Sequence, residues 1–250
     1  MKRHTNFIDR IGERHLSNEG YWMTIVKYFS NRNCTIQFDN GLIIKNIYYV
    51  RVKRGEIKNP YHPSVYGVGY NGVGKYIISI GGRHTKAAQT WKGMLERCYD
   101  EKSFNKRTTY IGCSVDERWH NFQVFAEWFE NSYREAFHLD KDILVKGSKT
   151  YSPETCRFVP QEINSLFASK KVTKGIYPTG VVKMGNKFRA RIYKNEQYVY
   201  LGLFDTPEEA FYVYKISKES WIKEVANKWK DELELDVYES MYNWQVEITD

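Results

Sequence analysis

Phe188-Arg189-Ala190-Arg191-Ile192-Tyr193, followed from Tyr200 by Leu201-Gly202-Leu203-Phe204-Asp205-Thr206-Pro207-Glu208-Glu209-Ala210, decides how the C-terminal third of this chain folds. Apolar and polar residues alternate along the first stretch, the period of a strand covered on one side only. Three short strands are predicted: Gly180 to Lys183, Lys187 to Tyr193, and Tyr198 to Phe204. A helix follows from Pro207. Thr206 caps its first free N–H groups, Pro207 sits where its missing donor costs nothing, and Glu209 closes a capping box. Ala210, Val213, Tyr214, Ser217 and Trp221 then make a stripe suited to packing on a sheet. The alternation puts Phe188, Ala190 and Ile192 under the helix. Arg189, Arg191 and Tyr193 stand on the opposite, open face, with Lys183 and Lys187 joining them from the first hairpin. Such a ribbon fits the major groove of DNA, where Arg bonds guanine bidentately and Tyr contacts sugar or a thymine methyl. An ordinary sheet with a solvated basic face is the alternative.

Working outward, the charge agrees with a polyanionic partner. The 250-residue chain carries a net charge of +8 with a pI near 9.1. Residues 171–230 hold 12 Lys and Arg against 6 Asp and Glu, whereas residues 231–250 hold 7 acids and no Lys or Arg. A basic body suits nucleic acid because each neutralised phosphate releases condensed counterions. Hydrophobic residues at 42% and aromatics at 16% supply packed cores and exclude wholesale disorder. The apolar runs are short and broken by charge, so no membrane span is expected. Met1 to Asn6 leads into no apolar region of the kind a secretion signal needs. Cys34, Cys98, Cys113 and Cys156 are widely spaced with no C-x-x-C pair, the pattern of buried thiols in a reducing, cytoplasmic compartment.

Further upstream the chain divides by pattern. Residues 1–58 form a small β-rich module: Trp22 to Tyr28 and Cys34 to Phe38 are β-branched and aromatic, the Asp39-Asn40-Gly41 turn leads into Leu42 to Lys45, and Tyr48 to Val52 supplies another strand. No catalytic constellation occurs in it. Residues 59–82, with Pro60, Pro63 and six glycines, read as a Gly/Pro/Tyr linker. Residues 83–170 alternate helices and short strands. Trp91, Met94, Leu95 and Cys98 recur at helical spacing, and Tyr110 to Val115 reads as a strand. Phe122, Phe125, Trp128 and Phe129 line a second helix capped by Asn121. Leu139 to Leu144 and Cys156 to Val159 suggest a two-stranded ribbon, after which Pro160 opens a helix carrying Ile163, Asn164 and Leu166. The acidic segment 231–250 also contains Leu233, Val237, Tyr238, Met241 and Trp244. It either folds back over the basic surface in competition with DNA or packs as a terminal element with an acidic edge.

In the C-terminal segment, Gly180-Val181, Phe188 to Ile192, Tyr200 to Thr206 and Glu208-Glu209-Ala210 resemble the ethylene-response-factor type of DNA-binding domain, over roughly 50 residues. The resemblance implies a three-stranded sheet read into the major groove with one supporting helix. Carried over by position, the groove-facing residues are Val182, Lys183, Arg189, Arg191, Tyr193 and Tyr200. Val182 and Asn186 depart from the plant pattern, which has Arg and Trp there, so its base preference does not transfer.

Trp91 to Tyr99, Gly112 to Val115 with Trp119 and Phe122, Leu139 to Asp142, and Ser152 to Phe158 resemble phage and mobile-element HNH homing endonucleases, over about 80 residues. That resemblance implies a ββα-metal domain hydrolysing a DNA phosphodiester with Mg²⁺ or Mn²⁺. Asp140 takes the metal-carboxylate position and Asn164 a later one. Lys141 stands where the general-base His belongs and Thr155 where the first Asn belongs. A protonated Lys neither accepts a proton from water nor favours a neighbouring cation. His138, two residues before Asp140, shares its strand face and is the substitute base.

The expectation is an α+β chain: a β-rich module (1–58), a linker (59–82), an HNH-like middle domain (83–170), a sheet-plus-helix DNA-binding domain (174–230) and an acidic end (231–250). Its partner is double-stranded DNA, in the host cytoplasm if phage-encoded, with no membrane. Three classes stay open: a metal-dependent nuclease using Asp140, His138 and Asn164, a non-catalytic DNA-binding regulator, and a phage protein binding a host protein through 1–58 or 231–250.

Overall fold

The computed structural model describes residues 8–105, 107–167 and 176–249. Met1 to Asn6, and the junctions near residues 170 and 174, lie outside the described residues. The fold is α+β, built from several small sheets in two compact units that together use elements from the whole chain. One unit takes residues up to 106 with 117–127, the other residues 107–116 with 128–250. The stretch 83–170 therefore contributes to both units.

In the first unit, β1 (Arg14–Leu16), β2 (Trp22–Ser30), β3 (Asn33–Phe38) and β4 (Ile43–Ile47) form an antiparallel meander in chain order. Gly41, at φ 87°, makes the tight turn before β4. Met23, Ile25, Cys34, Ile36, Phe38 and Ile47 point into one core. β1 was not expected, and the strand expected at Tyr48 to Val52 is instead a one-turn helix, α1 (Tyr49–Lys53). It buries Val52 in the same core.

The Gly- and Pro-rich stretch does more than connect. A Cβ on Gly69 would lie 2.5 Å from the Leu95 side chain and 2.9 Å from the Trp91 ring, so only glycine lets this backbone approach them. Tyr70 N–H donates to the His120 carbonyl and its carbonyl accepts from Phe122 N–H, both at 2.9 Å. A two-residue-turn hairpin, β5 (Ser79–Ile80) and β6 (Arg83–His84), leads into α2 (Lys86–Tyr99), which is followed by α3 (Glu101–Phe104). α2 buries Trp91, Met94, Leu95 and Cys98, the residues its spacing predicts. The Trp91 indole N–H donates to the Trp119 carbonyl at 2.7 Å.

In the second unit the predicted strand at Tyr110 to Val115 shortens to β7 (Ser114–Val115), because a 3₁₀ turn at Thr108–Tyr110 and Gly112 at φ 76° precede it. α4 (Phe122–Ser132) starts in the first unit, with the Asn121 side chain accepting from Gln123 N–H at 3.0 Å, and ends in the second. There Trp128 stacks on Phe158. β8 (Phe137–Asp140) pairs antiparallel with β10 (Arg157–Pro160), and β9 (Thr150–Tyr151) pairs parallel with β7. α5 (Gln161–Phe167) follows β10 directly.

The C-terminal sheet is the antiparallel set β11 (Val181–Met184), β12 (Lys187–Lys194) and β13 (Gln197–Phe204), backed by α6 (Pro207–Lys228). Both bonds of the capping box form: Thr206 Oγ1 accepts from Glu209 N–H and the Glu209 carboxylate accepts from Thr206 N–H. α7 (Leu235–Tyr242) carries the acidic segment. Val237, Met241 and Val246 are buried in the core shared by α5, α6 and the sheet, so this segment packs as a terminal element. Its acids Glu234 and Asp236 pair with Arg157 at 3.1 and 2.6 Å. No helix among the described residues is long and apolar enough to cross a membrane.

Candidate nucleic-acid interface

Alternation along β12 separates two faces as the pattern demands. Ala190 and Ile192 are buried against α6, and Phe188 is half-buried beside them. Lys187, Arg189, Arg191 and Tyr193 occupy the other face. Register then shows which neighbours share it. Val182 lies opposite Arg189, and Met184 opposite Lys187, on β11. Tyr200 lies opposite Arg191, Tyr198 opposite Tyr193, and Leu203 opposite Arg189, on β13. This face is uncovered: Tyr200 is 64% exposed and Tyr198 is 56% exposed.

Lys183 is placed differently from expectation. It lies opposite Phe188, and so on the sheet side that carries Ala190 and Ile192, although its end is exposed near the hairpin. The neighbours Val182 and Lys183 cannot share a face in a regular strand. Tyr198, Leu203 and Met184 join the open face without having been expected there. Tyr198 and Met184 were readable as positions two residues from Tyr200 and Val182. Leu203 was hidden by a bulge.

That bulge explains the Leu201-Gly202-Leu203 string. Ala190 pairs with Gly202 but Arg191 pairs with Tyr200, so Leu201 is the extra residue. Leu201 and Phe204 both pack on the core, while Leu203 turns outward. Gly202 has φ 140°, and a Cβ there would sit 2.8 Å from the Phe204 ring. Gly180, at φ 84°, lies so close to the Tyr214 ring that a Cβ would meet it at 2.2 Å, which seats α6 on the sheet. Its carbonyl accepts from Arg191 N–H at 2.9 Å, extending the β11 edge.

The guanidinium groups on this face form no ion pair among the described residues. Arg191 lies over the Tyr198 ring, 4.2 Å from its centroid. Arg189 Nε is buried without a hydrogen-bond partner. Lys187 makes an exposed pair with Asp205 at 3.0 Å, the sort that contributes little and yields to a competing anion. The face therefore offers planar donors and aromatic surface to an incoming acceptor.

The middle site is arranged otherwise. Asp140 ends β8, and its Oδ1 accepts from Asp142 N–H at 2.7 Å and from Ile143 N–H at 2.8 Å. Burial pushes its carboxyl above the ordinary range, partly offset by those two N–H groups. Lys141 is buried as well, and its ammonium donates to both Asp142 carboxylate oxygens, at 2.7 and 2.8 Å, and to the Ser148 carbonyl at 2.5 Å. Thr155 Oγ1 donates to the Thr150 carbonyl at 2.8 Å. Burial drives the neighbouring Cys156 thiol up to about 12. His138 lies two residues from Asp140 on β8, exposed where Asp140 is buried, and Asn164 is half-buried on α5. Among the described residues no three His, Cys, Asp or Glu side chains gather where a metal ion would be held. These donors do not fit the Mg²⁺ or Mn²⁺ centre expected at Asp140, because its carboxylate serves the chain's own backbone beside a buried ammonium. Comparison with protein-family models, with curated proteins and with solved structures finds no match to this chain.

Proposed function

We propose that this chain is a double-stranded DNA-binding protein that grips the major groove with the open face of the β11–β13 sheet. The observation that carries the reading is the uncovered row of Lys187, Arg189 and Arg191, flanked by Tyr193, Tyr198 and Tyr200. Arg supplies bidentate bonds to guanine O6 and N7 or to phosphate, and the tyrosines supply sugar and methyl contacts. The resemblance of the β12–α6 stretch of sequence to the ethylene-response-factor pattern favours the same docking. The HNH-like stretch is read as a retained scaffold that contributes no cleavage, because Asp140 and Lys141 are used internally.

Selection of bound duplexes from a random pool, scored for nicking with and without Mg²⁺ or Mn²⁺, tests both parts. Arg189→Ala/Arg191→Ala is expected to weaken duplex binding by roughly ten- to a hundredfold and to flatten its salt dependence. Unchanged binding by that variant overturns the reading. Divalent-dependent nicking abolished by Asp140→Ala overturns the non-cleaving part.

A further inference from the structure

We propose that the β5–β6 hairpin is an apolar wedge that inserts into the minor groove of duplex DNA and kinks a base step. The inference rests on duplex DNA being the partner, and adds a second contact element on the first unit.

The hairpin is narrow and projects. Ser79 pairs with His84 and Ile80 with Arg83, and Gly81 and Gly82 make the turn at φ 56° and 78°. Both positive values match the tightest hairpin turn, in which no side chain broadens the tip. A Cβ on either glycine would meet nothing within 4 Å. At this tip Ile80 is 68% exposed, and Ile77, which precedes β5 at the base of the hairpin, is 62% exposed. Two isoleucines held in water on so small an element are unexplained by packing within the chain. Isoleucine is one of the side chains that architectural proteins drive between base pairs, and the minor groove, about 6 Å wide, admits only a narrow element.

The base of the hairpin is fixed, as a wedge requires. The His84 ring is held between Ser79 Oγ at 2.8 Å and Lys92 Nζ at 3.0 Å. The Gln89 side-chain amide donates to the His84 carbonyl at 3.0 Å. Thr85 N–H donates to the Ile78 carbonyl at 3.0 Å, its hydroxyl donates to the Ile77 carbonyl at 3.2 Å, and the same oxygen caps α2 by accepting from Ala88 N–H. The strand pair is thereby bolted to the first turn of a 14-residue helix.

Charge selects the occupant. Between Glu56 and Glu96 the sequence contains no Asp or Glu, but it contains Lys58, Lys75, Arg83, Lys86 and Lys92. Arg83 is exposed on the hairpin itself, and the first turn of α2 carries no acid to offset its positive end. An apolar tip flanked along the chain by five Lys and Arg and no acid complements a polyanion, and narrow minor grooves concentrate the negative potential that attracts such an arginine.

The full chain is tested on a selected duplex labelled at both ends for energy transfer, with 2-aminopurine placed stepwise along the site to report unstacking. The wild type is expected to shorten the end-to-end distance and unstack one step. Ile77→Ala/Ile80→Ala is expected to lose both signals and to lower affinity by roughly tenfold. Arg83→Glu is expected to lower affinity further at low salt. Bending and unstacking retained by the double isoleucine variant overturn the wedge, even where Arg189→Ala/Arg191→Ala still abolishes binding. The converse result, bending that depends on Ile77 and Ile80 with no dependence on the two arginines, supports the wedge and removes the sheet reading. A wild type that dimerises through these isoleucines while leaving bound DNA straight marks the tip as a protein contact and overturns the proposal.

Discussion

On β12 the guanidinium groups of Arg189 and Arg191 stand over an uncovered sheet face, whereas at the end of β8 the carboxylate of Asp140 and the ammonium of Lys141 are buried and bonded to their own loop. Both corners carry charged residues at motif positions. On β12 two guanidinium groups form no ion pair among the described residues, and one nitrogen has no acceptor. In the β8 loop the carboxylate and ammonium are bonded within their own loop, and their removal leaves buried groups unpaired. Recognition is expected where charge is exposed and unsatisfied; stability is expected where it is buried and satisfied.

Asp140→Ala is the strongest test of that contrast. It orphans the Asp142 and Ile143 N–H groups, each worth about 1–3 kcal/mol when left unpaired, so a loss of about 2–5 kcal/mol is expected in denaturant unfolding. Duplex affinity of the folded fraction should not change. Arg189→Ala/Arg191→Ala should do the opposite, lowering affinity with a smaller change in stability than Asp140→Ala, because both side chains are only half-buried and form no ion pair among the described residues. Reversal of either half breaks the comparison.

Asp140→Asn sharpens it. The amide oxygen still accepts both N–H bonds, and no carboxylate charge is buried at this position, so the variant should stay close to wild-type stability. Because burial raises the folded-state pKa of Asp140, the folded chain holds this proton more tightly than the unfolded chain does. The corresponding stabilisation is complete below the ordinary Asp range near 3.9 and is lost as pH rises through the raised value. Subtracting the pH–stability curve of Asp140→Asn from that of the wild type should reveal this fall in weak acid. A difference curve that rises with pH would show that the two N–H groups and Lys141 outweigh burial, so that the fold favours the ionised carboxylate.

How much of this was legible in the sequence depends on which force dominated locally. The strand period of β12, the stripe on α6 and the capping box are set by near neighbours, and the residues state them directly. Three strands of the first unit's meander, from Trp22 to Lys45, were readable for the same reason, whereas the three-residue β1 was not read. Tyr48 to Val52 has strand composition yet forms a helix that buries Val52, so tertiary packing outweighs a weak local preference. The internal use of Asp140 was not legible, since its partners are backbone N–H groups that carry no sequence signal. The bulge at Gly202 was written in the sequence as a glycine inside a strand, a recognised mark of a bulge, but its effect on Leu203 emerges only from register.

Gly202→Ala acts on the β12 corner through the backbone. At φ 140° a Cβ is strained, and the Phe204 ring at 2.8 Å must move, so a loss of about 1–3 kcal/mol is expected. Removal of the bulge would shift Tyr198 and Tyr200 out of phase with Arg191 and Tyr193. A variant that unfolds at lower denaturant but binds duplex with unchanged affinity would show that the tyrosines of β13 take no part in the grip.

The smallest effect is expected from Thr206→Ala. The substitution removes the hydroxyl that accepts from Glu209 N–H and leaves the reciprocal bond from the glutamate in place, so one half of the capping box survives. A lost N-cap typically costs about 1 kcal/mol. The cap sits at the start of α6, on the side of the sheet away from Arg189 and Arg191, and α6 holds its place through Ala210, Phe211 and Tyr214. Thermal unfolding should therefore move down by a few degrees while the duplex titration overlays that of the wild type. A parallel fall in affinity would mean that the open face depends on fine positioning of the helix behind it, and the two corners of the chain would then differ in degree rather than in kind.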